Sequence, residues 1–541
     1  MSDNKLIIIN EKNKTKEKTK EKTKIKTKTK TKTKTVEKNN NDKINSNYSK
    51  MELKEHIEKR PDTYIGSIEF EQSEQYIYNN ENNGIELKKI KMVPGFCNIN
   101  EEILVNSIDN NSRVIQRNKN LKGKDKLKSV TEIRINIDKT TGQISVYNNG
   151  EGIDIVKHPK EKVYVPQMIF GELLTSGNYN MDEEKITGGK NGFGAKLTNI
   201  YSKFFQVETV DHRRKLYYSQ IFKENLNIKQ EPIIKPYKKE PFTRITYIPD
   251  YKRFGMSHII DDDIIGLFKK RAYDLIPCSD GKISVYFNDE KIEINDFKDY
   301  MGLYIKSNNL ESIQKNTDNV SEEENIIDEE STDEPKRDMS FPIIYRKINE
   351  RWSIGMCLNP TLGFKQISFV NGINTTRGGK HVDYIVKQIT SHLIYSIEKK
   401  KKVVIKDNMI KENIMIFLVS TIVNPSFDSQ TKETLTTNKG KFGSECIIPT
   451  KLIDELGASG VINRAINLNI FHDKQLLSKT DGRKKGKLTD IEKLDDAKFA
   501  GTKNSSLCTL ILTEGDSAKV SAVAGVSEIS KGRDLYGIYP L

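Results

Sequence analysis

The sequence predicts an α+β protein assembled from several domains, and three observations carry that expectation. Runs with two-residue apolar alternation give way repeatedly to runs with helical spacing. A stretch with four glycines, TGGKNGFGAK at 187–196, opens directly onto the helical pattern LTNIYSKF. Two segments nearly devoid of apolar residues, one basic and one acidic, interrupt the pattern and divide the chain. With 541 residues there is enough chain for several domains with real cores.

In chain order, residues 1–45 read as a disordered tail. Thirteen Lys and four Glu within 11–38 account for nine of the net +14 charges, so the rest of the chain is only mildly basic. One Ile, one Val and no aromatic residue cannot bury a core there. Three uses fit such a tail: docking on nucleic acid by counterion release, nuclear import, or a repeat expansion with no specific partner. A mitochondrial presequence fits less well, because the tail lacks Arg and contains Glu. The expected compartment is therefore the nucleus, with the mitochondrion as the alternative.

Residues 46–293 form the first folded unit. The second spans 294–480 and carries an insert near 307–340, whose centre at 316–338, NTDNVSEEENIIDEESTDEPKRD, is acidic and expected to be disordered. Beyond it FPIIYRKI and WSIGMCLN read as a hairpin, followed by QISFVNGI and a helix over 381–400. The last segment, 500–541, holds an apolar strand at 508–512, an acidic turn at 514–516 and a small-residue helix start. No run of eighteen apolar residues and no secretory h-region is present, so no membrane partner is expected. Cys97, Cys278, Cys357, Cys446 and Cys508 are scattered without a CxxC pair, which argues against a disulfide framework or a structural zinc site.

The chemistry starts at EEILVNSIDNN, 101–111. On a helix Glu102, Asn106, Asp109 and Asn110 share one face, while Ile103, Leu104 and Val105 take others. A carboxylate beside carboxamides suits a metal nucleotide site, since an Asn oxygen can ligate Mg2+ and a Glu can deprotonate a water; a solvated polar face is the plainer alternative. ISVYNNGEGI at 144–153 is a strand ending in Asn149, Gly150 and Gly152, where backbone can approach a ligand and Asn149 can pair with an adenine edge. A type I′ hairpin turn explains the same Asn-Gly. The glycines at 188, 189, 192 and 194 before a helix N-terminus suit a phosphate cradle, although the stretch is neither a Walker loop nor a dinucleotide fingerprint. Glu514 at a strand's end suits Mg2+ near a phosphodiester, or is a solvated turn acid.

The order of these boxes resembles the GHKL (Bergerat) ATPase core of gyrase, heat-shock protein 90, MutL and histidine kinases. In detail it resembles eukaryotic DNA topoisomerase II, the type IIA family. RPDTYIGS at 60–67, EILVNSIDN at 102–110, EKVYVPQMIFGELLTSGNY at 161–179, FVNGINTTRGGKHVDY at 369–384, NPSFDSQTKETLTT at 424–437 and CTLILTEGDSAK at 508–519 carry the likeness. It covers everything from about residue 48 onward except the acidic insert.

That resemblance implies a GHKL ATPase domain over 46–293, with an eight-stranded mixed sheet against helices. A transducer with a ribosomal S5-like βαβ crossover follows over 294–480, and then a TOPRIM domain begins over 500–541. It implies ATP and Mg2+ as cofactors. Glu102 would be the general base, Asn106 and Glu514 metal ligands, and Gln430, Thr431 and Lys432 the residues reaching the γ-phosphate. Asn149 would meet adenine with Thr246 in support, and Asn110 would lie alongside. Ser176, Gly177 and Asn178 would line the ribose, with Gly189, Lys190, Asn191, Gly192, Phe193, Gly194, Ala195 and Lys196 around the triphosphate. Tyr48 would belong to an arm crossing to a partner subunit in a homodimer, and Lys399, Lys400 and Lys401 would touch captured double-stranded DNA, although lysines are favourable at a helix C-terminus in any case. Glu101 stands where the family has Asp, Gly177 where it has Ser, and Lys190 and Phe193 where Arg and Tyr are common. Only the change at Gly177 is expected to remove a nucleotide contact.

The family's cleavage tyrosine and downstream acidic cluster are not on this chain, so cutting DNA is expected to need a second chain or a missing C-terminal part. Two functions fit: the ATP-operated gate of a type IIA topoisomerase, or a diverged nucleotide-dependent DNA clamp without topological work. Intact Glu102, Asn106, Gln430 and Lys432 favour the gate. The EGDSAK segment disfavours heat-shock protein 90 and MutL.

Overall fold

The computed structural model of the chain describes residues 50–175, 184–189, 192–258, 260–306, 342–480 and 493–541, with the side chains of 472–480 excepted. The basic tail, the acidic insert, Tyr48, Ser176, Gly177, Asn178, Lys190 and Asn191 lie outside them.

Two short helices, α1 (Leu53–Lys59) and α2 (Pro61–Tyr64), lead to a hairpin of β1 (Glu71–Asn79) and β2 (Gly84–Met92), then to the long helix α3 (Pro94–Asn118). Proline sits in the first turn of α3, where no backbone donor is needed. There follow β3 (Glu132–Ile137), β4 (Ile144–Asn149), α4 (Val165–Gly171), α5 (Gly194–Ile200), β5 (Ser202–Asp211), β6 (Leu216–Lys223), β7 (Ile228–Lys229), β8 (Ile233–Pro236) and β9 (Phe242–Pro249). Helix α6 (Asp262–Cys278) comes next, capped by Asp261, whose carboxylate accepts the Asp263 N–H at 2.8 Å. Strands β10 (Ser284–Phe287) and β11 (Glu290–Lys291) and helix α7 (297–306) complete this half.

These strands form one mixed sheet in the order β11-β10-β3-β4-β9-β5-β6-β7, with β8 also paired to β6. Only β10 and β3 run parallel among its pairs. The sheet has nine strands rather than eight. The excess lies in pieces such as β7 and β11, two exposed residues each, too short to show an apolar alternation. Residues 197–204 also differ from expectation: the helix stops at Ile200, and from Ser202 the alternation of Phe205 and Val207 into the core makes a strand.

Which sheet face meets α3 follows from the period of two. Ile133, Ile135, Ile144, Val146, Ile245 and Tyr247 pack with Phe96, Ile99, Ile103 and Ile108 of α3 in one core, and the Tyr247 hydroxyl donates to Asn100 Oδ1.

The second sheet contains β12 (Ile344–Asn349), β13 (Trp352–Leu358), β14 (Lys365–Val370), β15 (Ile373–Asn374) and β16 (Ile414–Ser420), ordered β12-β13-β16-β14-β15. Strands β14 and β16 are parallel, and α8 (Lys380–Lys401) lies between them in sequence, so this is a βαβ crossover. Both faces are covered. Met415 and Phe417 join the core of the first unit, whereas Ile414, Ile416 and Leu418 join a second core with α8, α10 (Thr450–Leu456) and the start of α11 (Ile462–Thr480); α9 (Asp407–Lys411) also contributes. Two-sided burial explains why IMIFLV reads as an unbroken apolar run. At the end of the chain β17 (Thr509–Thr513) and β18 (Tyr536–Pro540) pair in parallel around α12 (Asp516–Glu528) and α13 (Gly532–Leu535). No described helix is long and apolar enough to cross a membrane.

Candidate active site

Helix α3 brings Glu102 to the rim of a cleft between the two sheets' units. The loop at 430–432 reaches the same cleft from the far side, and Lys432 Nζ donates to Glu102 Oε1 at 2.7 Å. Their side chains are 11% and 14% exposed, so the pair is largely removed from water. Lys432 holds φ at +62°, a left-handed conformation that costs a non-glycine residue energy and aims the side chain inward. Tyr64, Asn98, Val105, Gln430 and Thr431 also line the cleft. The Tyr64 hydroxyl lies 3.0 Å from His56 Nδ1 and its ring stands edge-on to Phe193 at 6.0 Å.

The glycine stretch is tied to α3. Asp109, seven residues after Glu102, is buried and accepts the N–H groups of Gly188 and Gly189 at 2.7 and 2.8 Å. Burial raises its pKa, against the opposing pull of Arg113, the two glycine donors and Lys432. Gly194 opens α5 beside the Glu102 carboxylate, and a Cβ there would come within 2.4 Å of Glu102 Oε2, so a larger residue would push that carboxylate aside. Lys196 Nζ donates to the carbonyls of Thr175 and Gly192, both at 2.7 Å, and burial pulls its pKa down to about 8. Ala195 packs into the core instead of facing the cleft. Gly192 takes φ +69°, and Phe193 is the residue preceding α5.

Asn106 is half-buried one turn after Glu102. Its hard carboxamide oxygen suits Mg2+, which takes few protein ligands and completes its shell with phosphate oxygens and water. Asn110 Nδ2 donates to the Glu151 carbonyl at 3.1 Å, holding the end of β4 against α3. Thr431 Oγ1 pairs with Ser429 Oγ at 2.7 Å, and its methyl packs on the Gly66 turn.

Two expected nucleotide residues lie elsewhere. Asn149 turns to the neighbouring strand: its Oδ1 accepts the N–H groups of Thr131 and Glu132 at 2.8 and 2.9 Å, and its Nδ2 donates to Thr131 Oγ1 at 2.8 Å. Alternation along β4 puts Asn148, not Asn149, on the face with Ile144 and Val146 that looks at α3. Thr246 sits on the far face with Ser145, the two hydroxyls 3.2 Å apart. Thr243 shares the α3 side with Ile245 and Tyr247, and its hydroxyl lies 3.0 Å from that of Thr209. Strand parity, counted back from the buried isoleucines, is the signal that places Asn148 and Thr243 on the α3 face. Asp109 was visible on the helix face, but its glycine partners were not.

Glu514 is exposed at the end of β17, before Gly515 at φ +87°. Among the described residues no cluster of three or more His, Cys, Asp or Glu could hold a metal, so Glu514 has no assembled companions. Lys399, Lys400 and Lys401 form the exposed last turn of α8, with Lys399 Nζ 5.7 Å from the Tyr395 ring centre.

The family model described as DNA gyrase B matches residues 297–484. DNA topoisomerase 2 of Acanthamoeba polyphaga mimivirus is 44% identical over 92% of this chain and 36% of its own length. The crystal structure of the ATPase region of Saccharomyces cerevisiae topoisomerase II is 40% identical, with TM-score 0.66, covering 78% of this chain and 99% of that one. The ATPase and transducer domains of DNA topoisomerase II from Balamuthia mandrillaris are 35% identical with TM-score 0.67, covering 79% and 99%. The chain spans about a third of the length of the curated relatives it matches. It belongs to the DNA topoisomerase II family, of which it carries the ATPase region.

Proposed function

We propose that the chain hydrolyses ATP as the gate of a type II DNA topoisomerase, closing a homodimer around a captured duplex. The single observation that carries this reading is the 2.7 Å contact of Lys432 with Glu102, residues 330 positions apart and on different units. A carboxylate beside a buried lysine, a glycine-rich helix start and a carboxamide one turn on is the donor set that ATP hydrolysis needs.

Glu102 accepts the proton of the attacking water, with Oε1 held by Lys432 until the γ-phosphate of the substrate competes for that ammonium group. Lys432 then stabilises the charge that grows on the transferred phosphoryl oxygens, and Gln430 orients the same group. The backbone of 188–196 cradles the phosphates, and Lys196 supplies a positive charge at its far end. Asn148 and Thr243, on the α3 side of the sheet, meet the base. Asn106 would hold Mg2+, which neutralises phosphate charge when bound.

Release of the γ-phosphate frees Lys432 to return to Glu102, and this exchange is how the chemistry reaches the second unit. In finer terms the first unit is a GHKL sandwich, the second an S5-like transducer, and the β17-turn-α12 segment with Glu514 the opening of a TOPRIM fold. Double-stranded DNA meets Lys399–Lys401, and the protein acts in the nucleus. Steady-state phosphate release, stimulated by duplex DNA and abolished in Glu102→Ala, is the expected result. A wild-type protein that binds ATP and releases no phosphate would instead make it a nucleotide-dependent clamp.

A further inference from the structure

We infer that Arg271, acting through Glu101, is a positioning residue that sets the helical turn carrying Glu102 and ties it to the second sheet. The inference rests on the ATPase reading above. Arg271 lies on α6, opposite the start of α3, and both its Nε and Nη2 donate to the Glu101 carboxylate, the first at 2.7 Å. A fork gripping both oxygens fixes the carboxylate's orientation as well as its position. Glu101 is the residue immediately before Glu102, so the grip sets the rotation of α3 about its own axis at that turn.

The rest of the cluster anchors the fork. Arg271 Nη1 donates to Asp274 Oδ2 at 2.6 Å, and Lys270 Nζ donates to the same oxygen at 2.9 Å. Asp274 Oδ1 accepts the Tyr300 hydroxyl at 2.6 Å, and Tyr300 and Tyr304 join hydroxyls at 2.6 Å. Asp274 is fully buried, and the side chains of Lys270 and Arg271 are 4% and 8% exposed. Two cations and two carboxylates balance, so no net charge is buried. Apolar side chains would stabilise such a site at least as well, which leaves geometry as the reason for the ions.

That geometry reaches the second sheet. The Arg271 guanidinium lies 6.0 Å from the ring centre of Phe369 on β14, and Tyr304 stands edge-on to Phe417 on β16 at 5.3 Å. The turn that follows β14 presses on α3 at Ile108 and sends Ile373 into the Glu102 cleft. Arg271 therefore sits where α3, α6, α7 and the second sheet meet, and a shift of β14 is felt at Glu101.

The test is ATP turnover by the full chain across pH, in wild type, Glu101→Gln and Arg271→Met. The charged or titratable groups around Glu102 are Lys432 from the 430–432 loop, Glu101 and Asp109 on α3 itself, Tyr64 from α2, and Arg271 behind Glu101. Removing the Glu101 charge leaves Arg271 unbalanced and moves the acid limb of kcat to lower pH. Removing the Arg271 charge leaves Glu101 unbalanced and moves it higher. Both variants lose about tenfold or more in kcat while KM for ATP stays within about twofold, and Arg271→Lys returns the limb to its wild-type position. A general packing defect gives no opposed shifts. If Arg271→Met fails to fold, Glu101→Gln, which keeps its shape and one acceptor oxygen for Arg271, still decides. Turnover in Glu101→Gln equal to wild type, or limbs that move in the same direction, overturns the inference alone. A wild type that releases no phosphate overturns the ATPase reading and this inference with it.

Discussion

Lys196 carries a charge against two carbonyl oxygens inside the fold, and burial draws its pKa from the ordinary lysine value to about 8. The depressed value has a definite sign. Below pH 8 the folded state bears the cost of a desolvated ammonium group. Between about 8 and the unfolded value near 10.4 the unfolded chain holds the proton that the folded one has lost, so stability rises with pH. Nucleotide binding has the opposite sign, because a triphosphate favours the charged form. ATP affinity measured by titration is expected to fall above pH 8, by up to about tenfold per pH unit, and Lys196→Met should remove that dependence. An affinity flat from pH 7 to about 9.5 in the wild type would mean that Lys196 does not meet the phosphates. Residues such as Lys196, Glu102 and Lys432 were legible as single letters in boxes. Their depth was not, since burial depends on partners such as the Thr175 carbonyl that no local pattern announces.

At the scale of elements, helices and glycine turns were easier to read than strand faces. Glu102, Asn106, Asp109 and Asn110 fell on one helix face because a helix repeats over many residues, and α3 offers 25 of them. Strand β4 has only six residues, and there a one-residue error turns every side chain to the wrong face. Asn149 and Thr246, expected at the base, turn away from the α3 face by that one-residue parity. The two asparagines make a sharp comparison. Asn149→Ala strips an acceptor from the Thr131 and Glu132 N–H groups, which water can partly replace, so it should cost roughly 0.5–1.5 kcal/mol in thermal unfolding and leave ATP affinity near wild type. Asn148→Ala should lower ATP affinity about tenfold, about 1.4 kcal/mol, with a smaller change in stability. A reversed result, with Asn149→Ala alone weakening ATP, would put the base on the other face of the sheet.

Over the whole molecule, the sequence marked two folded units and the breaks around them, but not how closely they join. The core of the first unit runs into one face of the second sheet, through Phe369, Met415 and Phe417, because α7 lays Tyr300 and Tyr304 between them. The contacts of Tyr300 and Tyr304 with Phe417 join residues over a hundred positions apart, beyond the reach of any local periodicity. Another close approach is the turn after β14. Gly372 holds φ +80°, and a Cβ placed there would stand 2.8 Å from Ile108 Cγ2 on α3. A Gly372→Ala substitution therefore combines left-handed strain of about 1–2 kcal/mol with a collision against the helix that carries Glu102. Trimming Ile108 to Ala removes the collision but leaves the strain, at a cavity cost of about 2–5 kcal/mol on its own. In a double-mutant cycle the pair should be less destabilising than the sum of the singles by about 0.5–3 kcal/mol. ATP turnover, lowered in Gly372→Ala by displacement of the turn, should partly recover in the double mutant. Strict additivity in both stability and turnover would show that the turn and α3 are not coupled, and that Lys432 must reach Glu102 through its own loop alone.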